Sequence, residues 1–221
     1  MDICHMDHVL KFRGTAGPLG PIDLDVRPGA RVGVVGGADT GKTTLLRLLW
    51  GFLRPDHGHV QVLGRTPHLC QLWLRHHAGF MGRPLWTDTA ATGATVLEHT
   101  ATFYPNWNRE RAWKLACRLG LDLDRRVDQM RPVDQRRLAF AGAVAHGPRI
   151  WFLDEPLSGL DMADQAAIRT TLADLGEGER ATVVVTATAA DDLDGFADTL
   201  LCLQNGTVVD YRRLKASACP V

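Results

Sequence analysis

Two segments of the chain carry residue types that could do phosphate chemistry. The first is Gly36-Gly37-Ala38-Asp39-Thr40-Gly41-Lys42-Thr43-Thr44, which fits the spacing G-x-x-x-x-G-K-[ST]. Such a loop wraps phosphates with its backbone N–H groups, and the N-terminus of the helix that follows adds the positive end of its dipole. Lys42 is placed to reach β- and γ-phosphates, and the Thr43 hydroxyl to ligate Mg²⁺. The second is Asp154-Glu155-Pro156, which ends the apolar run Ile150-Trp151-Phe152-Leu153. Carboxylates delivered by a buried strand are costly unless paired or metal-bound. Asp154 suits Mg²⁺, directly or through water, and Glu155 suits orienting or deprotonating an attacking water.

The elements that must hold these residues are legible around them. Arg31-Val32-Gly33-Val34-Val35 reads as a β-branched strand entering the glycine loop, and Leu45-Leu46-Arg47-Leu48-Leu49-Trp50 as a helix leaving it. Strand, loop and helix are the context this motif requires. Upstream, Val9-Leu10-Lys11-Phe12 and Ile22-Asp23-Leu24-Asp25-Val26 read as short strands, with Pro28-Gly29 as a turn. Val60-Gln61-Val62-Leu63-Gly64 is a further strand and turn. From about residue 71 to 145 the pattern becomes helical, with Ala112, Leu115, Ala116 and Leu119 at helical spacing. Trp86, Trp107 and Trp113 fall in this part and are expected in a core or docking face. The segment 150–221 returns to strands, with Thr182-Val183-Val184-Val185 and Leu200-Leu201-Cys202-Leu203 before an Asn205-Gly206 turn.

Leu157-Ser158-Gly159-Leu160-Asp161 follows the two carboxylates directly. With this third element the chain resembles the nucleotide-binding subunit of an ATP-binding cassette (ABC) transporter, from about Val9 to Val209. That family has the phosphate loop, the hydrophobic strand with Asp-Glu-Pro and a Ser-Gly-Leu-Asp loop in this order. The resemblance implies an α/β fold: a P-loop NTPase core, mostly parallel sheet with flanking helices, joined by an antiparallel β part. Residues 1–221 would form one nucleotide-binding domain, with a helical subdomain over about 71–145 inserted in the core. It also implies ATP and Mg²⁺ as ligands, Glu155 as the catalytic group, and Thr43 and Asp154 at the metal. Phe12 falls where the family stacks an aromatic on adenine; a core strand residue is the other reading. Phe103-Tyr104-Pro105-Asn106-Trp107 resembles a bacterial exporter branch whose membrane subunits are separate chains.

Several positions depart from the family's pattern. Its Leu-Ser-Gly-Gly-Gln signature, which closes the ATP site of a paired subunit, aligns with Met130-Arg131-Pro132-Val133-Asp134. Pro132 has no N–H to offer a phosphate, and Val133 is branched where backbone must approach closely. The family's magnesium-sensing glutamine aligns with Arg83, and its γ-phosphate histidine with Thr188. Asp39 replaces a usual loop glycine. The expected function is therefore an ATP-binding subunit coupling ATP binding, and possibly slow hydrolysis, to a separate permease. A pseudo-ATPase that binds without productive hydrolysis is the alternative. A second ABC ATPase chain, as a heterodimer rather than a homodimer, is the expected partner.

Composition agrees with this frame. The 221 residues carry 25 basic and 25 acidic side chains in balance, which gives no electrostatic footprint for nucleic acid. No apolar run approaches the ~20 residues of a membrane helix, and no signal peptide is expected; the resemblance implies a cytoplasmic place at the inner face of the membrane through permease subunits. The five cysteines, Cys4, Cys70, Cys117, Cys202 and Cys219, lack C-x-x-C spacing and read as reduced thiols. The nine histidines lack recognisable metal spacing. His146 is expected at a helix C-terminus, where partial positive charge would suit the dipole.

Overall fold

The computed structural model describes residues 2–82 and 90–214. Two sheets form its frame. The smaller is antiparallel, with β1 (Cys4–Phe12) between β2 (Pro18–Val26) and β4 (His57–Val62). In β2 the buried residues Ile22, Leu24 and Val26 alternate with the exposed Pro21, Asp23 and Asp25, as expected of a sheet wet on one face. The larger sheet has six strands in the order β5-β6-β7-β3-β8-β9. These are β5 (Ala78–Met81), β6 (Ile150–Leu153), β7 (Thr182–Ala187), β3 (Arg31–Val35), β8 (Thr199–Gln204) and β9 (Thr207–Arg213). All pairs are parallel except β8 with β9. Every residue of β6 and β7 is buried, which explains their continuous apolar runs: a parallel strand covered on both faces has no polar side to show.

Helix α1 (Lys42–Trp50) follows β3 and packs Leu45, Leu46, Leu48 and Leu49 into the core between the two sheets. Its first turn is set by Gly41 at φ 111°, where a β-carbon would lie 2.6 Å from Leu19 Cδ1. Both backbone angle and crowding therefore require glycine.

The stretch 71–145 is not helical throughout. Helix α2 (Gln71–Leu74) is a single turn, and β5 then joins the parallel sheet beside β6, with Gly79 opposite Trp151. Only beyond it do α3 (Gly93–Ala101), α4 (Arg109–Arg118) and α5 (Pro132–Val144) follow. Helix α5 lies directly on β5: a β-carbon at Gly79 would meet the Ala143 carbonyl at 2.0 Å. The helices share one apolar cluster with the sheet, in which Leu97, Leu115, Leu138 and Phe140 join Trp151 and Leu153. Trp107 and Trp113 pack against this cluster as partly buried residues; Trp86 and Arg83 lie outside the described residues. Helix α6 (Met162–Glu179) precedes β7.

Candidate active site

The C-terminal ends of β3 and β6 open into one cleft of about 970 Å³, at the edge where α1 begins. Ligands in open α/β sheets collect at such strand ends. The loop 36–41 supplies one wall. Thr40 Oγ1 donates to the Gly37 carbonyl at 3.0 Å, and Asp39 takes φ 57°, a left-handed conformation that aspartate tolerates better than most residues. Ala38, Asp39, Gly41, Lys42, Thr43 and Thr44 all line the cleft; Gly36 and Gly37 present their carbonyls to Lys42.

Lys42 folds back into the loop it follows. Its Nζ donates to Gly36 O at 2.7 Å and Gly37 O at 2.6 Å, and lies 3.2 Å from Glu155 Oε1. On the facing strand end, Thr43 Oγ1 lies 2.9 and 3.1 Å from the two Asp154 oxygens. The structure thus gathers Lys42, Thr43, Asp154 and Glu155, and buries both carboxylates. A hydroxyl beside a carboxylate is an oxygen donor set of the hard type that Mg²⁺ takes.

Three residues that the sequence did not single out complete the geometry. Thr186, near the end of β7, donates its hydroxyl to Asp154 Oδ1 at 2.9 Å and accepts the Glu155 N–H at 2.8 Å. It is fully buried, and a hydroxyl residue closing a run of three valines is the only local signal for it. Arg13 ties the turn after β1 to the phosphate loop: its Nη1 donates to Asp39 O at 2.7 Å, and its other nitrogens to Gly17 O and Ala16 O. Arg47, on an exposed face of α1, is a further cation lining the cleft.

Phe12 is not a core residue. It ends β1 with 58 % of its surface exposed and meets His57 edge-on at 6.4 Å. Strand alternation breaks down there because β1 carries register shifts from Met6 onward. Thr188 is exposed and does not line the cleft. The strand residue that meets the loop is Ala187, whose carbonyl accepts the Gly36 N–H at 3.3 Å.

The start of α5 is closed in on itself. Pro132 occupies the first turn, Val133 is buried, and no side chain caps the helix. The Arg131 guanidinium forms a two-pronged pair with Asp134, at 3.0 and 3.2 Å, and Arg137 reaches the same carboxylate at 3.2 Å. The first-turn acid that a helix dipole favours is thus neutralised within the chain.

His146 does not carry the charge expected of it. It is buried against the Tyr104 ring at 4.1 Å, its Nε2 bonded to Ala78 O, and burial lowers its pKa to about 4. Desolvation outweighs the helix-end dipole here, and none of the causes acting on the ring is an anion. Among the described residues, Asp7, His8 and Asp23 bring ligand-type atoms together. All three are exposed, and His8 Nδ1 is bonded to Asp7 Oδ1 at 2.8 Å. Cys4, Cys70, Cys117 and Cys202 are free thiols, and Cys219 lies outside the described residues.

Fold and cleft together define a P-loop NTPase-type α/β protein with an added antiparallel sheet. The chain belongs to the ABC transporter family, whose model matches residues 19–158. Among curated proteins it is 32% identical over 192 residues to an Fe(3+) ions import ATP-binding protein, FbpC, of Serratia marcescens, covering 84% of this chain and 55% of that protein. It is 30% identical to the macrolide export ATP-binding/permease protein MacB of Chlorobium luteolum, covering 90% of this chain and 31% of the other. The chain thus spans a little over half the length of the iron-import relatives it matches. Among solved structures, a dimeric ATP-binding cassette in a post-hydrolysis state with ADP and Pi superposes with a TM-score of 0.83. That match has 23% identity and covers 96% of this chain and 99% of the other. At that identity the likeness establishes the fold.

Proposed function

We propose that this chain is the ATP-binding subunit of an ABC transporter, coupling ATP binding and slow hydrolysis to a separate membrane permease. One observation carries the reading. Lys42, Thr43, Asp154 and Glu155 converge in one cleft at the strand ends, within 3.2 Å of their neighbours. In this reading the loop N–H groups and Lys42 bind the phosphates, and Phe12 offers its exposed ring to the adenine. Thr43 and Asp154 would hold Mg²⁺, which would neutralise phosphate charge there. Glu155 orients the attacking water and accepts its proton as the water oxygen bonds to the γ-phosphorus and ADP departs.

No helix among the described residues is long and apolar enough to cross a membrane; in this reading other chains supply the pathway, and this chain sits at the inner membrane face through them. The closed start of α5 favours a second feature, pairing with a different ATPase chain. An N-terminus headed by Pro132 and an Arg131–Asp134 pair offers a neighbouring nucleotide few N–H groups. Hydrolysis by this chain alone is accordingly slow. If the partner also fails to complete the site, the chain acts as a binding subunit only.

The test is steady-state hydrolysis by the purified chain with Mg²⁺ and ATP. A slow rate, most of it removed by Glu155→Gln, is expected. Rapid turnover insensitive to that substitution would refute the role given to Glu155.

A further inference from the structure

Glu155 holds φ 48°, a left-handed angle rarely taken by a residue with a β-carbon. Such angles persist only where the surroundings over-determine them. Here both polar groups of the residue's backbone are held by side chains from other elements. Its N–H is held by Thr186 of β7, and its carbonyl by Arg136 of α5, whose Nη1 donates at 3.3 Å. The same guanidinium donates through Nη2 to Ser158 O at 3.1 Å. Within the turn, Ser158 N–H also reaches back to Glu155 O at 3.2 Å. The fork of Arg136 therefore spans the turn 155–158 from outside, gripping a carbonyl at each end.

We propose that Arg136 is a positioning residue that sets the direction of the Glu155 carboxylate, an inference that rests on the ATPase reading above. Arg136 is not among the residues that line the cleft. It stands on α5, about one helical turn past Pro132, half-buried between that helix and the turn it clamps. The consequence is mechanical: α5 and the turn carrying the base move as one piece. A rotation of α5 against the sheet would swing the Glu155 carboxylate relative to Lys42 and Asp154. Lysine cannot replace this grip, since one ammonium on a flexible stem lacks the planar fork that reaches two carbonyls at once.

The experiment compares wild type, Arg136→Gln, Arg136→Lys, Glu155→Gln and the double variant Arg136→Gln/Glu155→Gln, all in the full chain. Each is measured for MgATP affinity by calorimetry and for kcat and KM. Arg136→Gln is expected to leave affinity and KM within about twofold and to lower kcat about tenfold, with Arg136→Lys between. In the Glu155→Gln background, Arg136→Gln should lower the residual rate no further, because its effect passes through the carboxylate. A general packing defect would instead lower the rate in both backgrounds and weaken ATP binding, which overturns the proposal. So would a wild-type kcat in Arg136→Gln. If that variant does not fold, Arg136→Lys decides: an unchanged kcat overturns the proposal, and a loss confined to kcat supports it. A wild-type chain without Glu155-dependent hydrolysis would overturn the ATPase reading and this inference together; failure in the variants alone overturns only the inference.

Discussion

Lys42 Nζ and Glu155 Oε1 lie 3.2 Å apart, with both side chains almost fully buried. The proposed phosphate-binding cation and the proposed base thus form an ion pair. In the proposed site, phosphates would take over Lys42 and in doing so release Glu155 towards the water it would orient. The pair lowers the cost of keeping both charges ready in a site of low polarity, since a lone buried charge is heavily penalised.

Opposite effects on nucleotide affinity follow from this pairing. Lys42→Ala removes charge-assisted bonds worth about 1.5–3 kcal/mol, roughly one to two decades in ATP affinity. Glu155→Gln removes a competitor for Lys42 and a negative charge beside the triphosphate, so binding should hold or tighten. Calorimetry with Mg²⁺ present reads both. Equal affinity in wild type and Lys42→Ala would sink the nucleotide-site assignment.

Thr186→Val tests the buried link between the carboxylates. Valine fills nearly the same space but leaves the Glu155 N–H without an acceptor and takes a donor from Asp154. A loss of about 1–3 kcal/mol in unfolding free energy is expected. It should appear as a lower denaturant midpoint at unchanged slope. Thr188→Val, on an exposed residue, should cost much less.

Acid stability should report His146. Its folded pKa of about 4 lies below the ordinary 6.5, first because of burial, with Arg111 and His76 adding to the effect and the bond to Ala78 opposing it. Between these values the unfolded chain binds a proton that the folded chain does not, so stability falls as pH drops from 6.5 towards 4. The full effect is on the order of 3 kcal/mol. Exposed His5 and His8, whose pKa values are raised by hydrogen bonds to Asp25 and Asp7, act with the opposite sign. Unfolding curves at pH 7 and pH 5 should therefore differ more for wild type than for His146→Phe.

The proposed heterodimer makes a prediction about the partner. In a head-to-tail pair with a second ATPase chain, Lys42, Asp154 and Glu155 would face a signature serine supplied in trans. Mutating that serine in a reconstituted complex should suppress the Glu155-dependent hydrolysis. A symmetric homodimer of this chain with robust turnover, and no other ATPase present, would show the heterodimer idea to be wrong.

Local signals carried the phosphate loop and the two carboxylates, because each sits in a contiguous segment whose spacing encodes its chemistry. Gly41, Lys42 and Thr43 announce themselves within three positions. Arg13, Arg136 and Thr186 do not, since their partners Asp39, Glu155 and Asp154 lie 19 to 32 positions away and only the fold brings them together. For His146 the chain position was read and the environment was not: burial beside Tyr104, which no local pattern reveals, reverses the charge that a helix end would favour. Strand β5 has four residues, too few to establish a period, so only the resemblance, which implies a Gly-aromatic strand at Gly79-Phe80-Met81 before Arg83, pointed to it within the helical stretch.

Strand β7 stands between β3 and β6 in the large sheet, so the loop carrying Lys42 and the turn carrying Glu155 hang from strands two spacings apart. With neighbouring strands about 4.8 Å from one another, the gap is fixed near 10 Å by a single ribbon of backbone. β7 is therefore a gauge block for the cleft. An insertion or bulge in it would alter the clearance between cation and base even if every residue that meets the phosphates were left in place.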